Sequence, residues 1–436
     1  MQQTLFYLPY QLGGFPLFGL GIVLGLWFLA VLLVSLRSWK KSGWNREKTS
    51  TLLLSLVVGV VVSWGLPLIG RPAGVPIQGY GLMMLLAILL SGGLVVWRAP
   101  RFGFTHDDVF EICLWLCIPG LIGARLFYVI EYWQEIYTPN VAELIFRILN
   151  FPAGGLVVYG SFFGAVVGGT YYLWKKRLSM LRMFDLLAPG MMLGLALGRI
   201  GCFLNGCCFG GVCDLEHQHW GVSFPAGSPP YERQLENGDI HVDPNAFYYG
   251  MRLEQTPDGT QVAEVSPNGE SARHGIQAGD QITYLNGTSQ PTRDQVLEIL
   301  IFRVRQEGLI AMECQRKGDT FRTLWTTTRS AGPVSLPVYP TQLYSSGMAF
   351  LLCLVLLLHA RLRRNPNGLG LKRDGEAISL MLLLYSINRY CLENVRIDEA
   401  DFLQTGRTVS QNVSILLFLL AAAMMVWIHV RPAKRV

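Results

Sequence analysis

Long apolar stretches dominate this chain and decide what it can fold into. Nine of them are long enough to cross about 30 Å of hydrocarbon, which takes roughly 17 to 25 helical residues. They run over Phe15–Leu36, Leu52–Ile69, Gly79–Val96, Val109–Ile130, Gly154–Trp174, Leu186–Phe203, Thr341–Leu358, Ala377–Leu392 and Val413–Ile428. Hydrophobic residues make up 51% of the 436 residues and charged residues only 15%, which excludes an ordinary soluble enzyme. The sequence predicts an all-α polytopic membrane protein with about nine transmembrane helices.

The distribution of Lys and Arg predicts the orientation of these helices, because positively charged loops stay in the cytoplasm. The basic loops alternate with the others and comprise residues 37–48, 98–101, 175–182, 361–373 and 431–435. This pattern places the C-terminus in the cytoplasm and the N-terminus outside. It also places Arg199, Arg396, Tyr159 and the Tyr339-Pro340 turn near the outer leaflet. The first stretch is too long for a cleavable signal peptide and lacks a small-residue cleavage site.

Between Cys213 and Pro333 the composition changes to that of a soluble domain, with charged residues, prolines and turn signals such as Asn286-Gly287. Alternating segments predict strands over Val262–Val265, Gln281–Leu285 and Leu309–Cys314, and an amphipathic pattern predicts a helix over Arg293–Arg303. By the charge pattern, this α+β insert lies outside the cytoplasm.

Three motifs in the insert resemble a PDZ domain of the bacterial protease type, over about residues 248–328. They are Gly250-Met251-Arg252-Leu253, Ser271-Ala272-Arg273-His274-Gly275-Ile276 and Ala278-Gly279-Asp280-Gln281-Ile282-Thr283-Tyr284-Leu285-Asn286-Gly287. Such domains bind an extended peptide as an added strand, and backbone amides hold the terminal carboxylate. The resemblance implies a peptide-binding site at Gly250, Met251, Arg252 and Leu253. The alternative is a small sheet domain that only shields a membrane site.

The segment Gly198–Gly210 places Arg199 and three thiols at the end of the sixth apolar stretch. A charged side chain at this depth persists only when it meets a counter-charge, a water-filled cavity or an anionic ligand. Arg199 is therefore a candidate functional residue.

Six motifs follow the order seen in the prolipoprotein diacylglyceryl transferase family, which the chain resembles from Gly79 onwards outside the insert. They are Gln78-Gly79-Tyr80-Gly81-Leu82-Met83, Gly123-Ala124-Arg125-Leu126-Phe127-Tyr128, Gly154-Gly155-Leu156-Val157-Val158-Tyr159-Gly160, the Gly198-Arg199 segment, Tyr339-Pro340-Thr341-Gln342-Leu343-Tyr344, and Arg389 through Glu393 to Arg396. The resemblance implies a seven-helix core supplied by the third to ninth helices. The expected domains are residues 1–77 (two additional helices), 78–212 (first part of the core), 213–333 (insert) and 334–436 (second part of the core).

The resemblance implies an enzyme of the bacterial inner membrane that needs neither cofactor nor metal. Enzymes of this family move a diacylglyceryl group from phosphatidylglycerol to a cysteine thiol of an exported prolipoprotein and release glycerol phosphate. Arginines suit this reaction because they bind the departing phosphate bidentately. The candidate catalytic residues are Arg199, Arg396, Tyr159 and Glu393. The candidate substrate-binding residues are Tyr80, Arg125, Asn205, Tyr339, Gln342, Tyr344 and Arg389. No nucleic-acid partner is expected.

The chain departs from the family pattern at four positions within the six motifs. Tyr159 and Tyr339 stand where the family has histidines, and Cys202 and Cys207 replace an asparagine and a glutamate. A phenol with a pKa near 10 is a poor base at neutral pH unless neighbouring cations lower that pKa. Two tyrosines flanked by arginines are one candidate base, and Glu393 is another.

Structural explanations compete with several of these roles. Arg199 could pair with Glu393, and Arg396 could be an interfacial anchor. Tyr80, Tyr128 and Tyr344 fit an aromatic belt, and Gln342 and Asn205 fit interhelical hydrogen bonding. The glycines at 154, 155, 160, 164, 168 and 169 indicate close helix packing.

The thiols of Cys202, Cys207, Cys208 and Cys213 allow a disulfide, such as Cys202 or Cys208 with Cys213, a metal site, or free thiols.

Three candidate functions remain for the whole chain. The first is the transferase, the second a catalytically silent homologue that binds anionic lipid or peptide, and the third a thiol redox protein.

Overall fold

The computed structural model describes residues 4–42, 46–68, 70, 74–150, 155, 157–327, 332–366, 368–396 and 406–430. Most of these residues are helical. The α-helices are α1 (Ile22–Ser42), α2 (Arg46–Leu68), α3 (Gly79–Arg98), α4 (His106–Glu131), α5 (Trp133–Ile136), α6 (Val141–Leu149), α7 (Val158–Lys175), α8 (Met180–Asn205), α9 (Pro229–Glu236), α10 (Glu270–Arg273), α11 (Arg293–Glu298), α12 (Val304–Glu307), α13 (Thr341–Leu362), α14 (Glu376–Glu393) and α15 (Val409–Val430).

Ten strands accompany the helices. They are β1 (Thr4–Leu8), β2 (Gln11–Leu12), β3 (Phe15–Pro16), β4 (Val75–Gln78), β5 (Met251–Thr256), β6 (Gly259–Val265), β7 (Gln281–Leu285), β8 (Thr288–Ser289), β9 (Leu309–Arg316) and β10 (Asp319–Thr326). Near the N-terminus β1 pairs with β4, and β2 pairs with β3.

Each of the nine predicted membrane spans overlaps a helix, as expected for a polytopic membrane protein. Within the described residues, five helical segments are long and apolar enough to cross a membrane: Gly79–Phe102, His106–Glu131, Met180–Asn205, Thr341–Leu362 and Val409–Val430. The predicted start of the first span at Phe15 is wrong, because Phe15 lies in β3 and α1 begins at Ile22. Gly13 and Gly14 adopt positive φ values that turn the chain there into a hairpin. The predicted start of the fifth span, Gly154, lies outside the described residues.

The chain divides into two compact units. The insert unit comprises residues 1–83 and 200–342, and the helical unit comprises residues 84–199 and 343–436. In the helical unit, α4 packs tightly on α7 through glycines, as the sequence predicts for Gly160, Gly164 and Gly168. A Cβ at Gly164 would lie 3.1 Å from the Cα of Gly120 and closer still to the carbonyl oxygen of Pro119. Glycines therefore bring these two backbones into direct contact.

We expect Gly164→Ala to destabilise the protein by about 1–3 kcal/mol, because even one methyl group overpacks the α4–α7 contact. The matched control is Gly93→Ala on α3, where a Cβ would meet no atom within 4 Å. That change leaves stability unchanged or raises it slightly, since alanine favours helix more than glycine does. Thermal unfolding in detergent measures both variants, and equal unfolding midpoints would contradict the close packing.

The soluble insert folds around one antiparallel sheet with strand order β10-β9-β7-β6-β5, and β8 pairs with β7. The three predicted strands are confirmed, and β5 and β10 complete the sheet. The predicted helix over Arg293–Arg303 begins as α11 and continues as a wider π-helical turn over Ile299–Arg303. Thr292 caps it, since its hydroxyl accepts from the Gln295 amide and the Gln295 side chain accepts from the Thr292 amide.

Several short helices lie outside the sequence-based prediction, and α6 is the longest of them among the described residues. Helix α6 lies in the segment predicted as an outer loop, and Asn140 caps it by accepting a hydrogen bond from the Ala142 amide at 3.1 Å. The apolar side chains of Val141, Ile145 and Leu149 share one face and are exposed. This pattern is typical of a helix that lies along a membrane surface.

Candidate functional site

In the insert unit, the loop that follows α8 is hydrogen-bonded to the segment that precedes α13. The Gly210 amide donates to the Tyr339 carbonyl at 2.9 Å, and the Tyr339 amide donates to the Gly211 carbonyl at 3.0 Å. Antiparallel bridges join Val212 to Val338 and Pro225 to Val334. The two ends of the insert are therefore hydrogen-bonded to each other, and we call this paired segment the root of the insert.

Gln342 and Thr341 fasten the same loop from the first turn of α13. Gln342 is fully buried, and its Nε2 donates to the Cys207 carbonyl at 2.7 Å. The Thr341 hydroxyl donates to the Cys208 carbonyl at 2.8 Å. Sequence reasoning singled out Gln342 but missed Thr341, although Thr341 belongs to the same motif.

This fastened loop brings three thiols together. The Sγ atoms of Cys202, Cys207 and Cys208 all lie within 4.8 Å of one another, a group that does not include Cys213, and none of the four cysteines forms a disulfide in the described structure. Cys208 adopts a left-handed backbone with φ of 59°, which is uncommon for a residue other than glycine. The arrangement provides soft ligands of the kind that bind zinc or copper, and two of the three could also form a disulfide.

Tyr339 lies half-buried at the root of the insert. Desolvation raises the pKa of its phenol above the usual range, and the nearby Cys213 and Asp214 act in the same direction. Tyr339 is therefore protonated at neutral pH. It can donate a hydrogen bond there but cannot accept a proton as a phenolate.

Two further candidates of the insert unit lie at helix ends. Tyr80, in the first turn of α3, is 41% exposed and packs against Gly201 of α8. Asn205 is the last residue of α8 and is half-buried.

In the helical unit, Arg199 lies within the last two turns of α8 and is half-buried. Within the described part of the chain, its guanidinium group makes neither a hydrogen bond nor an ion pair. The pairing with Glu393 that the sequence allowed is therefore not formed. A partly buried arginine without a protein partner can bind an anion.

Glu393 instead pairs with Arg389, one turn earlier on α14. Glu393 is only 3% exposed, and Arg389 also donates to the Ser410 hydroxyl of α15 at 2.8 Å. These contacts link α14 to α15 and hold both charges in place. Arg396 follows directly, half-buried, with its amide donating to the Glu393 carbonyl at 3.1 Å. Ser410 was missed because it lies outside every recognised motif.

Arg125 of α4 is 6% exposed and is held by backbone carbonyls. Its Nε donates to Ile148 at 2.9 Å, one Nη to Gly155 at 3.0 Å and the other to Arg147 at 2.6 Å. The guanidinium also lies 5.0 Å from the centre of the Tyr128 ring. Arg125 therefore fixes the end of α6 and the start of the segment that leads to α7.

The two remaining candidates of the helical unit are tyrosines. Tyr344 lies in the first turn of α13 and is 36% exposed. Tyr159 belongs to α7, but its side chain lies outside the described residues, so its role stays a prediction.

Sequence comparison decides which family this arrangement belongs to. A profile of the prolipoprotein diacylglyceryl transferases matches residues 68–427. The chain belongs to this family. The match starts ahead of α3 and includes α4, α8 and α14, which carry Arg125, Arg199 and Arg389.

Individual relatives agree with the family match. The chain is 30% identical to the phosphatidylglycerol–prolipoprotein diacylglyceryl transferase of Rhodopirellula baltica, over 99% of this chain and 89% of that protein. It is 36% identical to the enzyme of the same name from Clostridioides difficile, over 34% of this chain and 57% of that protein. For the Geobacter sulfurreducens enzyme the identity is 32%, over 39% and 64%. The matched part of the chain thus spans less than two thirds of the last two relatives.

Proposed function

We propose that this protein is a phosphatidylglycerol–prolipoprotein diacylglyceryl transferase of the bacterial inner membrane. The single observation that carries the proposal is the state of Arg199 in a chain of this family. Its guanidinium is half-buried near the end of an apolar helix and has no hydrogen bond or ion pair among the described residues. An anionic headgroup supplies the partner that such a charge requires.

In the proposed reaction, the sulfur of the prolipoprotein cysteine attacks the carbon of the diacylglyceryl group that is bonded to the phosphate oxygen. A C–S bond forms, the C–O bond to phosphate breaks, and glycerol phosphate leaves with one additional negative charge. The thiol proton passes to a base. Arg199 and Arg396 bind the phosphate and stabilise the charge that grows on it, an effect that is strongest where water is excluded.

The other candidates take supporting roles in this mechanism. The Arg389–Glu393 pair positions Arg396, which follows it by three residues, and Arg125 positions the segment before α7. Gln342 and Thr341 hold the loop that follows Asn205 and carries Cys207 and Cys208. Tyr80, Tyr339 and Tyr344 are proposed to contact the lipid or the incoming peptide. Tyr159 remains the candidate nearest the family's histidine position, and Glu393 is the alternative base.

Transfer of labelled glyceride from phosphatidylglycerol to a lipobox peptide tests the proposal in membranes that contain the chain. Complementation of a bacterium depleted of its own transferase tests it in cells. We expect both to succeed. Lipid binding without transfer would favour the catalytically silent homologue. Transfer that a thiol reagent inhibits and that Cys207→Ser abolishes would instead make the thiol cluster essential.

The raised pKa of Tyr339 leads to a pH prediction. Because the phenol stays protonated throughout about pH 6 to 9, Tyr339→Phe leaves the shape of the pH–rate profile unchanged in that window. Any loss of rate is uniform across it, as expected for a lost hydrogen bond. The transfer assay at stepped pH measures this. A wild-type rate that rises with pH in this window, with the rise lost in the variant, would show that Tyr339 acts as the base.

For the insert we propose a PDZ-like domain that binds the exported peptide outside the membrane. The support is the position of β5, which pairs with β6 alone and so forms one edge of the described sheet. Met251 and Leu253 are buried, Gly250 has a φ of 87°, and Arg252 pairs with Glu264 at 3.3 Å. The Arg293 amide of α11 donates to the Gln255 side chain of β5 at 2.9 Å, so the start of α11 lies beside this edge strand. A peptide added along β5 would complete the sheet.

Peptide titration of the full chain tests this proposal. We expect a peptide with a free C-terminal carboxylate to bind at least tenfold more tightly than its amidated form, because the loop at Gly250 would hold the carboxylate. Equal binding of both peptides would indicate that the insert only shields the membrane site.

A further inference from the structure

The helical unit contains a cavity that the proposed reaction does not use. Its volume is about 400 Å³, and it lies where α3 and α13 end beside the turn over residues 363–372. Four arginines line it, namely Arg98, Arg101, Arg361 and Arg364, together with apolar side chains that include Phe102 and Leu357. No carboxylate is among the lining residues.

Arg98 indicates that the cavity receives an anion. It is only 3% exposed, and one of its Nη atoms donates to the Leu186 carbonyl at 2.8 Å. Its other Nη is buried and has no hydrogen-bond partner in the structure. A buried guanidinium with an unused donor is costly unless a ligand or water satisfies it.

The nearby carboxylates are engaged elsewhere. Asp374 pairs with Arg182 at 3.0 Å, and Glu376 pairs with Arg363 at 2.7 Å. Asp185 accepts hydrogen bonds from the Gly375 and Ile378 amides. Within the described residues, none of the four lining arginines forms an ion pair. Asp185 interacts electrostatically with Arg98 and offsets part of this charge, but the four lining arginines still leave an excess of positive charge among the described residues around the cavity.

The backbone holds these arginines in place. The Gly370 amide donates to the Arg101 carbonyl at 2.9 Å, and Arg364 forms an antiparallel bridge with Leu371. The Arg101 guanidinium also lies 3.9 Å from the centre of the Trp97 ring. The Arg98 and Arg101 guanidinium groups are thus positioned before a ligand arrives, which favours specific binding over loose attraction to a basic surface.

We propose that this cavity binds a phosphate-bearing anion and that its ligand is the headgroup of an anionic phospholipid in the cytoplasmic leaflet. The guanidinium groups bind the phosphate. The apolar wall and the position at the ends of apolar helices suit the glycerol and acyl part of a lipid. The charge pattern predicts the cytoplasmic side for this end of α3 and α13, which is opposite to the side predicted for Arg199. The bound lipid is therefore not the reacting one.

The test uses the full chain with Arg199→Ala as background, so that the proposed reaction site contributes little. Native mass spectrometry measures retention of phosphatidylserine against phosphatidylcholine, and calorimetry measures binding of inorganic phosphate. Arg361→Ala/Arg364→Ala removes two exposed charges from the cavity. Lys175→Ala/Lys176→Ala is the matched control, because it removes two charges from the same predicted face outside the cavity.

We expect phosphatidylserine to be retained over phosphatidylcholine, with at least about a tenfold loss in the arginine variant and less than a twofold change in the lysine variant. Equal losses in both variants would show that lipid retention depends only on general surface charge, and this would overturn the proposal. No preference for the anionic lipid would overturn it as well. Arginine-dependent binding of inorganic phosphate without lipid retention would overturn the lipid as the ligand and indicate a soluble anion.

Discussion

Arg199→Ala is expected to lower the rate of diacylglyceryl transfer by about 10²- to 10³-fold, the range found when one donor to a developing anion is removed. In the proposed reaction the departing phosphate gains a full charge, and the Arg199 guanidinium, which has no partner among the described residues, binds it. Because that side chain makes no hydrogen bond or ion pair with the described residues, its loss leaves the fold intact. Steady-state transfer from labelled phosphatidylglycerol measures the rate.

Two companion variants sharpen this result. Arg199→Lys retains the charge but loses bidentate geometry, so we expect an intermediate rate. Arg322→Ala removes an arginine that is 80% exposed on β10 of the insert and should leave the rate unchanged. An Arg199→Ala protein with the unfolding midpoint of the wild type and a rate within threefold of it would exclude Arg199 as a phosphate ligand.

The helices could be predicted because each needs only a local property, namely sufficient apolar length. The sequence also placed Cys202, Cys207, Cys208 and Cys213 together and left a disulfide, a metal site or free thiols open. It could not show which thiols converge, since their arrangement depends on a left-handed Cys208 and on Gln342, which lies 135 residues from Cys207 in sequence. The structure brings the first three together and leaves Cys213 outside the group.

The different roles of the arginines could not be predicted from the sequence either. The sequence named Arg199 and Arg396 as catalytic candidates and Arg125 and Arg389 as substrate-binding candidates, because a sequence reveals the charge but not the partner. In the structure Arg125 is held by backbone carbonyls and Arg389 by Glu393, whereas Arg199 has no such contact with the described residues. A sequence motif does not show which backbone carbonyls accept hydrogen bonds from an arginine. Only coordinates can therefore distinguish an arginine that positions a segment from one that is available to a substrate.

Arg125→Met is expected to lower the free energy of unfolding by about 3 kcal/mol or more, because three hydrogen bonds from a charged donor are lost and each such bond contributes about 1.5–3 kcal/mol. Thermal unfolding in detergent measures this loss. Below the unfolding transition, the apparent KM for phosphatidylglycerol should stay within about threefold of the wild-type value, since the proposed role of Arg125 is to position a segment and not to bind lipid.

Arg147→Ala is the matched control for Arg125→Met. The Arg147 side chain is 44% exposed and pairs with Glu143 one turn away, so its removal should change stability by less than about 1 kcal/mol. Its backbone carbonyl, which accepts from Arg125, is retained in the variant. A full loss of transfer in Arg125→Met with an unchanged unfolding midpoint would reverse the assignment. Arg125 would then join Arg199 as a ligand of the lipid phosphate, and its backbone hydrogen bonds would be exchanged for the substrate on binding.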